Sequence, residues 1–278
     1  MALSSRKLLI HAWIAQYWAP AKLTFIGWLK RLGGVGLLLL VLAWPQISSA
    51  QVKACGGNNN WPPMSYQLVG QSIQGISVDL LRLILPQVQF ELRPWQRCLH
   101  EVASASGFDI VMSAAKNPER EKLYLFSKPY HVLTPSYLYL NERFTTPPLQ
   151  SLADLEKFKV CALHGANISY TALKPGQIET GASNYLSLMR KLERGHCDLV
   201  VEMREVLYGF AQIEVLAFQD VRFQIQNLPE TKAYPLHFAI SRHREDAQGL
   251  LDRLNRGIDE QQKSGRLNKL IKHYQAGQ

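Results

Sequence analysis

The sequence predicts an α/β fold made of two successive units. Three observations carry this. After residue 50, short apolar runs of strand length alternate with stretches of helical apolar spacing. A break at Thr145-Thr146-Pro147-Pro148 separates one such series from a second. The chain then closes on a long helical pattern through Leu250, Leu251, Leu254, Ile258, Leu267, Leu270 and Ile271. A β-α-β-α-β order implies a parallel sheet covered by helices.

Val52–Cys55 is a short strand. Val78–Leu85 carries a helical pattern and stops before Pro86, and Val88–Leu92 alternates as a strand does. Trp95–Ala103 is helical and entered through Pro94, which suits an early helical position. Ile110–Met112 is a buried strand. In the second unit, Val160–Leu163 is a strand and Ser169–Leu173 opens a helix. Tyr185–Leu192 is a helix with Leu188, Met189 and Leu192 on one core stripe, and Asp198–Val201 is the next strand. Phe238–Ile240 is a further apolar run.

The first 50 residues differ from the rest. They hold five basic and no acidic residues, the apolar block Val35–Trp44, and the small-residue site Ser48-Ser49-Ala50. That is the layout of a secretory signal peptide, residues 1–50, with an uncleaved membrane anchor as the alternative. The block falls short of the ~20 residues a spanning helix needs. The whole chain of 278 residues has 31 basic and 22 acidic residues, a net charge of +9. Without the first 50, 26 and 22 remain and the charge is +4. The basic balance is thus partly a targeting feature. No aromatic-interleaved basic stripe, helix-turn-helix or zinc-finger spacing points to nucleic acid. The four cysteines, Cys55, Cys98, Cys161 and Cys197, form no C-x-x-C pair, which speaks against structural zinc. Neither a metal nor a cofactor is expected.

The most informative segment is Phe108–Tyr130, FDIVMSAAKNPEREKLYLFSKPY. An apolar strand passes through Ser113-Ala114-Ala115 to a turn at Asn117-Pro118, and offers Arg120 just beyond. Small residues leave room for a ligand, and a guanidinium can grip a carboxylate with two parallel hydrogen bonds. From Asp109 to Tyr130 the chain resembles periplasmic solute-binding proteins of the polar-amino-acid type, the capture subunits of ABC importers, in their "D-x-x-x-(small)…T-x-x-R…F-S-x-P-Y" segment. Asn60–Tyr66, NWPPMSY, resembles their first-strand loop. Gly75–Leu81, GISVDLL, is similar to their "G-F-x-V-D-L" helix start. Ser151–Leu155 with Val160–Gly165 resembles "S-L-x-D-L…V-x-V-x-x-G". The likeness covers nearly all of the chain after residue 50.

The resemblance implies a two-lobed periplasmic-binding-protein fold: lobe 1 over 51–140, lobe 2 over 141–233, and a return to lobe 1 with C-terminal helices over 234–278. Two crossings, near Pro135–Leu140 and Tyr234–Ile240, would form the hinge. The ligand would lie in the cleft at the carboxyl ends of strands. In that fold Cys55 and Cys98 share one lobe and Cys161 and Cys197 the other, which implies two disulfides in an oxidising compartment; buried free thiols are the alternative.

The family's motif puts Arg120 on the ligand's carboxylate; tying the loop through Glu119 or Glu121 is its structural alternative. Trp61 matches an aromatic that covers the ligand, and Ser113 belongs to the small-residue opening. Lys116, where a small hydroxyl residue is common, either adds charge to the cleft or points to solvent. Asn58 and Tyr66 are further candidates, as are Trp95 and Arg97 of a P-W-x-R segment. In the second lobe His164-Gly165-Ala166-Asn167 would lead into a helix whose free N–H groups bind an anion. Gly165 allows close approach, and Asn167 either binds or caps. Met203 stands where the family has an aspartate for the ligand's ammonium. Glu202 is adjacent, and neighbouring strand residues point to opposite faces: either it substitutes through a shifted register, or the ligand lacks an α-ammonium. The resemblance therefore implies a monomeric receptor for a small polar carboxylate, an amino acid or related, partnered by an ABC permease. An enzyme on the same scaffold, dehydrating a cyclic carboxylate through Glu202 or His164, and a sensory module are the alternatives.

Overall fold

The computed structural model describes residues 51–213 and 221–275; the signal-peptide reading of residues 1–50 lies outside them. The first series runs β1 (Lys53–Gly57), α1 (Ile76–Ile84), β2 (Gln89–Arg93), α2 (Trp95–Ala103), β3 (Ile110–Ala114), α3 (Pro118–Leu123), β4 (Tyr124–Phe126) and β5 (His131–Leu133). Then follow β6 (Pro135–Leu140), β7 (Val160–Leu163), β8 (Ile178–Ala182), α4 (Tyr185–Glu193), β9 (Leu199–Met203), α5 (Arg204–Gln212) and β10 (Phe223–Asn227). The chain ends with β11 (Tyr234–Ser241), α6 (Ala247–Lys263) and α7 (Arg266–Tyr274).

Two sheets result. The first has the order β2-β1-β3-β11-β4, with β5 also paired to β11; the second has the order β10-β6-β9-β7-β8. In each, the strands joined by helices run parallel and the chain-crossing strands, β11 and β6, run antiparallel. The first crossing falls at Thr134, between β5 in one sheet and β6 in the other. Residues 135–140 therefore belong to the second lobe, ahead of the boundary expected at 140. Pro135–Leu140 is buried along its whole length, so its alternation could not say which sheet it joins. The Thr134 N–H and hydroxyl both donate to the Glu205 carboxylate at 2.9 Å, fixing this crossing to the start of α5. The second crossing lies between Asn227 and Tyr234.

Local chemistry explains the elements near the cleft. Gly75 sits at φ 126°, where an added Cβ would lie 2.4 Å from the Met64 carbonyl oxygen. Only glycine lets the chain enter α1 there. Its apolar face, Ile76, Val78, Leu80 and Leu81, is fully buried; each such side chain contributes about 1.5–3 kcal/mol. The turn expected at Asn117-Pro118 is a helix start: the Asn117 side chain accepts from the Arg120 N–H at 2.8 Å, and Pro118 occupies the first turn.

One expected helix does not form. After β7 the chain makes a single 3-10 turn, Ser169–Thr171, which ends at Ala172 with φ 58°. The Thr171 hydroxyl donates to the Ile168 carbonyl and accepts from the Leu173 N–H, stopping propagation. The 164–167 loop therefore has no helix N-terminus behind it. Both cysteine pairs are bridged, Cys55–Cys98 and Cys161–Cys197, with Cα separations of 5.8 and 5.9 Å. No helix of the described residues is long and apolar enough to cross a membrane.

The lobes meet closely. One apolar cluster runs from Met64 and Ile76 of the first to Met203, Val206 and Phe210 of the second. At Gly209 of α5 a Cβ would lie 2.5 Å from the Pro62 carbonyl oxygen, so glycine is what lets the 61–64 loop rest on that helix.

Candidate functional site

Between the lobes lies a cavity of about 110 Å³ lined by both. On the first-lobe side, β3 ends in small residues. Ser113 takes φ 59°, and its hydroxyl bonds Ser77 at 2.7 Å, which in turn bonds Tyr130 at 2.6 Å. Burial pushes the Tyr130 hydroxyl pKa up to about 12, so it remains neutral. The opening continues to Ala115, whose carbonyl accepts from the Arg120 guanidinium at 3.1 Å. That guanidinium lies 5.5 Å from the Trp95 ring. It forms no ion pair with a described residue, neither Glu119 nor Glu121. Burial pulls its pKa down, yet a guanidinium stays charged in a protein.

On the second-lobe side, Leu163, His164, Ala166, Asn167, Tyr170, Tyr185, Glu202 and Met203 face the cavity. Glu202 and its neighbour Met203 both do so, against strict alternation. The reason is local: β9 ends at Met203, which is also the residue entering α5, so the pleat stops there. The Glu202 carboxylate accepts from the Tyr185 hydroxyl at 2.5 Å and from the Met203 N–H at 2.7 Å. The Trp61 side chain of the opposite lobe lies close enough to lower the Glu202 pKa. Burial raises the Glu202 pKa, and these donors pull it back in part. Burial likewise holds Tyr170, Tyr185 and Tyr234 well above the ordinary phenol range. Tyr170 and Tyr234 meet edge to face at 5.5 Å. The Asn167 side-chain oxygen accepts from the Ser169 N–H. Its amide nitrogen is buried beside the Tyr234 hydroxyl but outside hydrogen-bonding geometry.

Of the residues singled out in the sequence, Trp61, Trp95, Ser113, Arg120, Asn167 and Glu202 are brought together here. The others are not. Asn58 is exposed, and its neighbours Asn59 and Asn60 line the cavity instead. Tyr66 is buried against Tyr274, edge to face at 6.5 Å. Arg97 is paired with Glu101 at 2.8 Å on the surface of α2. Lys116 is exposed, its ammonium 5.7 Å from the Phe126 ring. Gly165 does permit a close approach, but of the Gln96 side chain from the first lobe, 2.4 Å from where a Cβ would stand. His164 is exposed at the rim, with Nδ1 3.2 Å from the Thr180 carbonyl oxygen. Sequence reasoning missed Tyr170, Tyr185 and Tyr234. Tyr185 starts α4 and Tyr234 starts β11, and nothing in their spacing separates them from core tyrosines. The Asn59 amide also donates to the Ser183 carbonyl at 2.6 Å, a bond across the cleft.

Residues 54–277 match the family described as bacterial extracellular solute-binding proteins, family 3. The chain belongs to that family. No curated protein sequence matches it significantly. Among solved structures, this family member is similar to the amino acid ABC transporter substrate-binding protein AbpA of Streptococcus pneumoniae, bound to L-arginine. The TM-score is 0.65 at 23% identity, over 81% of this chain and 94% of that one. It is similar to the arginine-, lysine-, histidine-binding protein ArtJ of Geobacillus stearothermophilus, with TM-score 0.65 at 18% identity, over 81% and 94%. It is also similar to the ancestral amino acid-binding protein AncCDT-1, a precursor of cyclohexadienyl dehydratase, with TM-score 0.64 at 21% identity, over 81% and 95%. At such identities the likeness is one of fold. The two-lobed α/β architecture is that of this family.

Proposed function

We propose that the protein is a monomeric periplasmic receptor that closes on a small carboxylate-bearing ligand and delivers it to an ABC importer. The observation that carries this is Arg120: a desolvated guanidinium on the wall of an interlobe cavity, 5.5 Å from the Trp95 ring and without a carboxylate partner among the described residues. A charge removed from water is costly unless it is paired. A ligand carboxylate supplies the pair and gains bidentate geometry. Because the walls come from two lobes, a ligand touching both has differential affinity for the closed state, which is what drives closure. The amino-acid binding of the similar structures, and the carrier role of the family, support this reading.

The test is thermal-shift screening of the purified protein against organic acids, amino acids and polyamines. A true ligand at a hundredfold excess over its dissociation constant stabilises by about 2.7 kcal/mol. Arg120→Ala should abolish that shift for any carboxylate hit, through a loss of roughly 2–5 kcal/mol in binding. An unchanged shift in the variant would refute the assignment. A second reading, an enzyme dehydrating a cyclic carboxylate, is favoured only by the raised pKa of Glu202, which suits a general acid. Turnover of a prephenate-like acid, absent in Glu202→Gln, would establish it in place of pure binding.

A further inference from the structure

The 59–64 segment of the first lobe reaches the second lobe in two ways. Its apolar part seats in a notch on α5. Pro62, Pro63 and Met64 are buried, as are Val206, Gly209 and Phe210 opposite them. Met64, Val206 and Phe210 belong to one apolar cluster. At Gly209 the approach is backbone to backbone: a Cβ there would stand 2.5 Å from the Pro62 carbonyl oxygen and 2.9 Å from the Pro63 nitrogen. The polar part is Asn59, whose amide donates to the Ser183 carbonyl at 2.6 Å. The Gln96 side chain adds a further crossing where it lies over Gly165.

Every one of these contacts is protein to protein, so their free energy is available with any guest or none. Parting the lobes exposes the two prolines and the α5 notch to water. It also breaks the Asn59–Ser183 bond, but that bond is exposed and water replaces it at little net cost. Apolar surface has no such replacement and loses in proportion to the area exposed. The apolar seat therefore dominates. Its position adds leverage. α5 begins at the first crossing, where the Thr134 N–H and hydroxyl donate to Glu205, and Gly209 is one turn further on. A small displacement beside a hinge becomes a larger one at the rim.

We propose that the 59–64 segment is a latch: seated at Gly209, it holds the lobes shut through protein contacts alone, so that closed is the resting state. A guest then enters only during spontaneous opening, and capture proceeds by selection of a minor open form. The latch goes beyond the receptor reading and does not depend on Arg120 being the anchor.

Spin labels test it in the purified full chain with no ligand added. They are attached through Gln71→Cys and Leu186→Cys, at exposed positions in the first and second lobes, and pulsed electron resonance measures their separation. The labelled parent should give one narrow distance that matches the separation in this structure. Gly209→Ala should lengthen it by more than about 2 Å. Alanine is the better helix former, so α5 is not weakened, and the added methyl group acts as a wedge under the segment. Asn59→Ala should lengthen it less. Urea unfolding checks that Gly209→Ala is folded; if it is not, Pro62→Ala, which strips the ring from the seat, carries the test with the same expected lengthening. A long or broad distribution in the parent would overturn the closed resting state. A short distance that neither Gly209→Ala nor Pro62→Ala lengthens would overturn the latch. The thermal-shift screen decides the receptor reading separately, whichever result is obtained.

Discussion

The two lobes share a plan and differ at the strand that reaches the cavity. Each ties an early strand by a disulfide, Cys55 of β1 to Cys98 of α2 in the first and Cys161 of β7 to Cys197 ahead of β9 in the second. Among the described residues, each brings one charged side chain to the cleft. In the first, β3 runs out through Ser113-Ala114-Ala115 into a capped short helix, and Arg120 arrives with most of its donors free. In the second, β9 passes directly into α5, and Glu202 is drawn back onto the entry N–H and onto Tyr185. A charge in a cleft is available to a ligand only to the extent that the fold leaves its hydrogen-bonding capacity unused.

The shared part of the plan carries the largest expected effect. The bridges span 43 and 36 residues, so each should contribute about 4 kcal/mol by restricting the unfolded chain. Urea unfolding of the two double variants, Cys55→Ser/Cys98→Ser and Cys161→Ser/Cys197→Ser, should show similar losses. A loss below about 1 kcal/mol in one variant would break the equivalence of the lobes. Mass spectrometry without reduction should find no alkylatable thiol.

The differing part is sharpened by paired alanine substitutions. Glu202→Ala leaves the buried Tyr185 hydroxyl and the Met203 N–H without an acceptor. The expected cost is about 3 kcal/mol of stability, a fall in Tm of roughly 6–12 °C for a domain of this size. Arg120→Ala removes one bond to the Ala115 carbonyl and should cost about 1 kcal/mol without ligand. Calorimetric melting of both compares them directly. Equal losses would mean that Arg120 is as much a structural group as Glu202.

The sequence made the architecture legible for a physical reason. Strand–helix alternation, the glycine before α1, and the stop at Pro86 are local signals, and β7 and α2 fall where the pattern placed them. Partner choice is not local. Pro135–Leu140 reads as a buried strand in either sheet, and only pairing with β9 and β10 assigns it to the second lobe. Half of the site was legible for the same reason: Trp61, Ser113 and Arg120 sit in motifs with fixed offsets from a strand end. Tyr170, Tyr185 and Tyr234 reach the cavity from separate elements, and no spacing links them. Glu202 stayed open between two readings because β9 ends where α5 begins, and alternation cannot assign faces to residues 202 and 203 at that junction.

A smaller effect than the loss of a disulfide or of Glu202 separates the lobes by pH. The histidines held below their ordinary pKa by burial, His131 of β5 and His237 of β11, belong to the first lobe, and His131 is lowered to about 4. Between pH ~6.5 and ~4 the unfolded chain binds a proton that folded His131 refuses. Stability therefore falls as pH drops through that window. The limit is about 3 kcal/mol from the shift itself, and partial exposure reduces it to roughly 1–2 kcal/mol. Glu202 in the second lobe acts with the opposite sign. Its raised pKa means the folded state binds its proton more tightly, so its contribution weakens as pH rises above the unfolded carboxyl pKa. Urea unfolding at pH 7 and pH 4.5 separates the two. His131→Gln should lose about 1–2 kcal/mol less than the unsubstituted protein on acidification, and Glu202→Gln should lose more than it does. Identical acid sensitivity in all three would show that neither group titrates differently in the folded lobes.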